Sequence, residues 1–390
     1  MLLRPLLRPL LCPLLRPLLR PLLCLLLCAL LLICSCVSAS AQTADELISD
    51  DLCLHQLQLI GTHNSYHIAP SESIGQLIRL AGADVLEALQ YTHRPIVEQL
   101  RDLQMRQLEL DLFADPEGGL FARPLGRTLA KNAGADPGPD PGIGGMLDKP
   151  GIKILHAPGF DFLSNVNTLR SALQQIEAWS ASFPRHLPVM ILLELKESVP
   201  NPTGVNLVPW TEVRLKELED EIRSVIPRDG YLIPDDLKQA EDQTVRAAVR
   251  RRGWPQVGEL RGKLFFCLDN EGGFVTRYLE SSASDQAPLL FVSVPPDHPQ
   301  AAWMKRNDPE RQFAEIQQLV RSGFLVRTRA DADTRQARAN QTGRRDQAIA
   351  SGAQYISTDF PEPVSTFSDY QVRWPEGQAA IHNRLLFPQR

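Results

Sequence analysis

Short runs rich in Leu, Ile and Val recur along this chain, most separated by a stretch of helical spacing, and polar residues gather at their far ends. That alternation constrains the fold more than any other feature. The spacing predicts strands at Leu57–Ile60, Gln107–Phe113, Ile152–His156, Pro188–Lys196, Lys263–Asp269, Leu289–Val294, Phe324–Arg329 and Gln354–Asp359. Between them, Leu169, Ala172, Leu173 and Ile176 share one helical face, with Pro184 beyond. Val213, Leu215, Leu218, Ile222 and Ile226 share another, stopped by Pro227, and Pro309–Val320 and Thr334–Ser351 read as further helices. Strand–helix alternation argues for parallel βαβ units. Eight strands over about 300 residues fit a somewhat irregular (β/α)8 TIM-type barrel. The stretch Leu125–Gly145, with its Gly/Pro-rich centre between the second and third strands, reads as a surface loop insertion.

The N-terminus stands apart. Leu-Leu-Arg-Pro recurs through residues 2–21, and a proline every four residues forbids a stable helix. Leu22–Cys34 is then uncharged, and Ala39-Ser-Ala41 precedes Gln42. Basic flank, short apolar run and small-residue end describe a secretory signal peptide over 1–41, cleaved near Ala41, with 42–390 as a single domain exported to the periplasm or beyond the cell. Without that leader, 37 Lys and Arg face 46 Asp and Glu, a net charge of −9. Such a chain lacks the basic surface of a nucleic-acid binder. The leader also takes Cys12, Cys24, Cys28, Cys34 and Cys36, leaving Cys53 and Cys267 either as a long-range disulfide or as two separate thiols.

In a barrel of parallel strands all C-terminal ends open on one mouth, where such folds build their sites. The first strand is followed by His63 and Asn64, the second carries Glu109 and Asp111, the third ends at His156, and the fourth carries Glu194 and Lys196. Alternation puts Glu109 and Asp111 on one side of their strand. Carboxylates inside so apolar a strand are costly to bury without a positive partner. A hard cation held by Asn64, Glu109, Asp111 and Glu194 resolves that cost with oxygen ligands alone, Ca2+ before Mg2+. The alternative is an ion pair of these carboxylates with Arg106 or Arg327. His63 and His156 supply proton transfer near neutral pH, as a phosphodiester needs a base for the attacking hydroxyl and an acid for the leaving oxygen. On the substrate side, Lys196 reads as a phosphate contact or as a partner of Glu194. Arg327 reads as a phosphate contact and Asp359 as an orienter of a histidine, or both as surface ion pairs. His67, on the loop of His63, is a candidate partner that orients a site residue. His55, His93, His186, His298 and His382 read as ordinary polar residues. Trp254 and Trp303 read as packing or as interfacial anchors, and Arg246–Arg252 as a solvated helix face.

Gly61-Thr-His-Asn-Ser-Tyr-His67, Gln107-Leu-Glu-Leu-Asp-Leu-Phe113, Leu155-His-Ala-Pro-Gly159, Ile191-Leu-Leu-Glu-Leu-Lys196 and Tyr355-Ile-Ser-Thr-Asp-Phe-Pro361 together resemble secreted, calcium-dependent phosphoinositide-specific phospholipase C proteins. The resemblance implies a phospholipase C-like phosphodiesterase barrel that meets a membrane surface transiently. It implies cleavage of phosphatidylinositol by attack of the inositol 2-hydroxyl, giving diacylglycerol and a cyclic inositol phosphate. It puts His63 at the attack, His156 at the leaving oxygen, and Asn64, Glu109, Asp111 and Glu194 on calcium. Two rivals use the same barrel. A glycerophosphodiester phosphodiesterase usually shows His-Arg-Gly and His-Asp, where this chain has His63-Asn64 and His156-Ala157. A catalytically silent barrel that binds head groups needs no acid–base pair of histidines.

Overall fold

The computed structural model describes residues 44–198, 205–282 and 287–387. The expected signal peptide and the five cysteines of its segment lie outside the described residues. The strands are β1 (Leu57–Thr62), β2 (Gln107–Asp115), β3 (Gly151–Ile154), β4 (Val189–Leu195), β5 (Tyr231–Leu232), β6 (Leu264–Leu268), β7 (Phe291–Val292), β8 (Trp303–Lys305), β9 (Leu325–Arg329), β10 (Tyr355–Thr358) and β11 (Ala380–His382). They form two mixed sheets in an α/β fold. One has the order β11-β1-β10-β9-β8; the other runs β3-β2-β4-β6-β5, with β7 also on β6. β4 lies between β2 and β6, parallel to both, and its apolar run 189–193 suits a strand buried on both faces.

All eight expected strands form, but not as one ring of ladders. Where the sheets meet at β1 and β2, Arg106 N donates to Ile60 O at 2.8 Å and Ser65 N to Glu109 O at 2.9 Å. Where they meet at β7 and β8, the link is a Ser293–Trp303 bridge. The pairing thus gives two sheets, and no closed (β/α)8 ladder is found among the described residues. The expected third parallel strand is a correction: β3 pairs antiparallel with β2, Leu112 facing Ile154. The chain between them returns along its own edge, which needs no crossover helix on the sheet. That connection is also less of a loop than expected, because Leu125–Asn132 is helical.

Helices form largely where apolar faces predict them. Leu169–Ser182 buries Leu169, Ala172, Leu173 and Ile176, and Thr168 caps it by accepting from Ser171 N at 3.2 Å. Glu212–Val225 buries Leu215, Leu218 and Ile222, while Val213 is exposed because it lies in the first turn, ahead of the packed face. The expected Thr334–Ser351 helix is two, Arg335–Ala339 and Gly343–Ala350, broken at Asn340 in the left-handed region. Trp254 and Trp303 are buried in the core, so neither is an interfacial anchor. Cys53 and Cys267 are separate free thiols. Among the described residues no helix is long and apolar enough to cross a membrane.

Candidate active site

Close approach of β1 to β2 sets the site. A Cβ on Gly61 would fall 2.4 Å from the Gln107 side chain, so only glycine lets the strands meet here. Just beyond, the chain leaves β1 through Asn64 at φ +44°, a conformation asparagine tolerates better than most residues. His63 thereby faces β2 across the mouth.

His63 Nδ1 donates to Asp359 Oδ1 at 2.7 Å, and Nε2 stands 3.6 Å from Glu109 Oε1. Burial, then the charge of Arg329, lowers the His63 pKa to about 3, leaving a neutral ring with its lone pair on Nε2. Asp359 follows β10 and also accepts from Arg329 Nη2 at 3.2 Å. Burial alone would raise its carboxyl, but His63 and Arg329 outweigh that and hold it well below the usual range.

Glu109, Asp111 and Glu194 converge, with one carboxylate oxygen from each within 4.8 Å of the others. Burial pushes Glu109 up to about 8 against the pull of Arg327, and Asp111 up to about 8 against that of Lys196. Lys196 Nζ lies 2.7 Å from Glu194 Oε1 and 3.1 Å from Asp111 Oδ2, yet neither Asp111 oxygen receives a well-directed hydrogen bond. Asn64 Nδ2 donates to the Tyr91 hydroxyl at 3.1 Å, while its Oδ1 is buried without a partner. Three clustered carboxylates and a buried amide oxygen without a donor fit a hard, oxygen-ligated cation such as Ca2+.

Arg327 is buried, not at the surface. It binds Glu109 Oε2 through Nη2, Ser357 Oγ at 2.7 Å through Nε, and Asn307 Oδ1 at 2.5 Å through Nη1. Of the two arginines weighed as partners for the carboxylates, Arg327 takes the role, and Arg106 pairs with Asp45 instead.

His156 follows β3 and donates from Nδ1 to Asp161 Oδ2 at 2.7 Å; its side chain is 30% exposed. Asp161 also binds the buried His67, whose Nε2 lies 3.0 Å from Oδ2. Burial would raise the Asp161 carboxyl, but the two histidines outweigh it and hold it well down. Sequence reasoning missed Asp161, because an aspartate in a Pro158-Gly159 turn looks like a turn residue. It also missed Lys305, on β8, whose Nζ binds Asp269 Oδ2 at 2.8 Å. The available signal was Asp269, a carboxylate directly after an apolar strand.

The family whose model matches residues 52–384 is described as phosphoinositide phospholipase C, Ca2+-dependent. Among solved structures, the apo form of a calcium-dependent phosphoinositol-specific phospholipase C from a Gram-negative Pseudomonas sp. is similar, with TM-score 0.51 and 14% identity over 86% of this chain and 96% of that one. Its myoinositol complex gives TM-score 0.51 and 15% identity over the same shares, 86% and 96%. At such identities the likeness concerns the fold. Among curated proteins none matches the sequence.

Proposed function

Because the chain belongs to the Ca2+-dependent phosphoinositide phospholipase C family, we propose that it cleaves phosphatidylinositol by attack of the inositol 2-hydroxyl on the phosphate, releasing diacylglycerol and inositol 1,2-cyclic phosphate. It is an enzyme of the phosphoinositide phospholipase C kind, with Ca2+ as its cofactor. We read its two sheets as halves of a barrel whose ladders are interrupted at β1–β2 and β7–β8. The observation that carries the reading is a pair of histidines, each backed by its own carboxylate, at a mouth that also holds three converging carboxylates.

In this reading His63 is the base. Asp359 fixes its Nδ1 proton and leaves Nε2 to take the proton of the 2-hydroxyl. His156 is the acid, and with Nδ1 held by Asp161 its Nε2 protonates the diacylglycerol oxygen. Asn64, Glu109, Asp111 and Glu194 hold the calcium, which when bound supplies positive charge to the phosphate oxygens. Arg327 positions Glu109. Lys196, partly exposed and paired with Glu194 and Asp111, reaches a phosphate when calcium takes those carboxylates. Export behind a leader ending near Ala41, and transient contact with a lipid surface, belong to the same proposal.

The test is purified protein on phosphatidylinositol vesicles, with calcium or with chelator, read by phosphorus NMR. Calcium-dependent inositol 1,2-cyclic phosphate is the expected product. Hydrolysis of glycerophosphoinositol with no release from the lipid would replace this reading with a glycerophosphodiesterase. Silence on both would leave a head-group-binding barrel.

A further inference from the structure

His67, Asp161 and His156 form a second cluster, separate from the calcium carboxylates, with one candidate ligand atom from each residue within 4.8 Å of the others. Their arrangement goes beyond what orienting one histidine requires. His67 is wholly buried, and its Nδ1 lies 3.0 Å from the Tyr91 carbonyl oxygen, which can only accept. The Nδ1 proton is therefore committed there, and the Nε2 edge points at Asp161, 3.1 Å from Oδ1 and 3.0 Å from Oδ2. A neutral imidazole so fixed presents a lone pair to a carboxylate. The pair is stable only with a cation between them, either a second proton on the ring or a metal ion.

His156 Nδ1 approaches the same Asp161 Oδ2 at 2.7 Å, and the two imidazole planes stand 89° apart. Two nitrogens and a carboxylate thus converge from different directions on one small volume. In a tetrahedral zinc site the metal–ligand bonds are about 2.0–2.2 Å, so the three groups need only part slightly to admit the ion. In such sites a ligating histidine usually has its other N–H held by a backbone carbonyl or carboxylate, and the Tyr91 carbonyl provides this. His156, partly exposed, gives access from the mouth and leaves room for a water as fourth ligand. Nitrogen donors select against Ca2+ and Mg2+ and for a borderline first-row ion.

We propose that His67, His156 and Asp161 form a transition-metal site, suited to Zn2+, whose occupation replaces the His156 Nδ1 proton and so stops its Nε2 from acting as the acid. Binding and inhibition are separate parts of this proposal, and only the inhibition rests on the phospholipase reading of the preceding subsection. With zinc on His156 Nδ1, loss of its acid role predicts a fall in product release of about 10²-fold or more in saturating calcium, reversed by a zinc-selective chelator.

The experiment is isothermal titration of the purified protein with zinc chloride in saturating calcium, alongside Asp161→Asn and His67→Gln. One equivalent of zinc is expected, with affinity about tenfold or more weaker in each variant. No zinc bound by the unaltered protein, or affinity unchanged in both variants, would overturn the site. Should either variant fail to fold, electron paramagnetic resonance of Cu2+ on the unaltered protein decides. Coupling to two imidazole nitrogens supports the site, and an oxygen-only spectrum refutes it. If zinc binds but phosphatidylinositol is never cleaved, the site stands and the phospholipase reading falls. Cleavage that zinc binding leaves undiminished removes the inhibition alone.

Discussion

The start of β2 and its middle each bury charge, and they do so differently. At the base, Arg106 donates to both Asp45 oxygens, to the carbonyls of Leu100 and Met105 at 2.8 Å, and to Gln104 Oε1 at 2.8 Å. Its donors are matched, and Asp45 further accepts from Leu187 N at 3.2 Å. At the mouth, Arg327 ties down Glu109, yet both Asp111 oxygens, Asn64 Oδ1 and Asp269 Oδ1 are buried without a hydrogen-bond partner. The base is a closed network that holds the N-terminal segment to the sheet. The mouth is an open one, and buried acceptors without donors are stable only if something else supplies the charge. One strand thus separates stability from function along its length.

The largest expected effect breaks the mouth alone. His156→Ala should reduce phosphatidylinositol turnover by about 10²–10⁴-fold while the melting temperature stays near that of the unaltered protein. Near-normal turnover would remove His156 from the mechanism. The converse change strikes the base. Asp45→Ala leaves Arg106 buried without its carboxylate and should cost about 3–5 kcal/mol by denaturant unfolding, with calcium affinity unchanged. A stability loss within about 1 kcal/mol would show that the closed network is not what secures this end. Asp111→Asn should weaken calcium binding about tenfold by calorimetry, since ligand charge sets the affinity of oxygen sites. In chelator the same change should leave stability nearly level, because the carboxylate it removes has only Lys196 at 3.1 Å and no well-directed donor to offset its burial. A loss of stability in chelator would mean that the mouth is as closed as the base.

Much of this contrast was legible in the sequence, for identifiable reasons. Strands buried on both faces, such as Val189–Leu195, announce themselves as apolar runs, and carboxylates within them are conspicuous. The three-residue β8 has too little length to show a period, so Trp303–Lys305 is not among the expected strands. The direction of β3 was hidden as well, because parallel and antiparallel edge strands have the same composition and only the path between 116 and 150 decides. Ring closure depends on how few bonds cross between Ile60 and Arg106, which no pattern encodes. Asp161 was obscured by its turn, and Tyr91, which braces Asn64 and His67, lies in a loop without a motif. Residues on strands or directly after them could be read because strand geometry fixes their direction, and residues deeper in loops could not.

The smallest expected effect tests why the mouth holds together without its metal. Lys196 Nζ sits between Glu194 and Asp111, where its charge competes with any cation for the same two carboxylates. Burial would lower its pKa, but those two carboxylates raise it, so it is charged throughout the working range. Lys196→Met removes the competitor. Calcium affinity should therefore rise several-fold, and the thermal stabilisation gained on adding calcium should grow with it, since binding to the folded state alone is felt as stability. In chelator the variant should be less stable than the unaltered protein, because two carboxylates then face each other without a counter-charge. If calcium affinity instead falls, Lys196 orients the carboxylates for the ion rather than standing in its place. The mouth would then be a preorganised site, and its open acceptors would reflect the geometry the ligands need more than a charge waiting to be met.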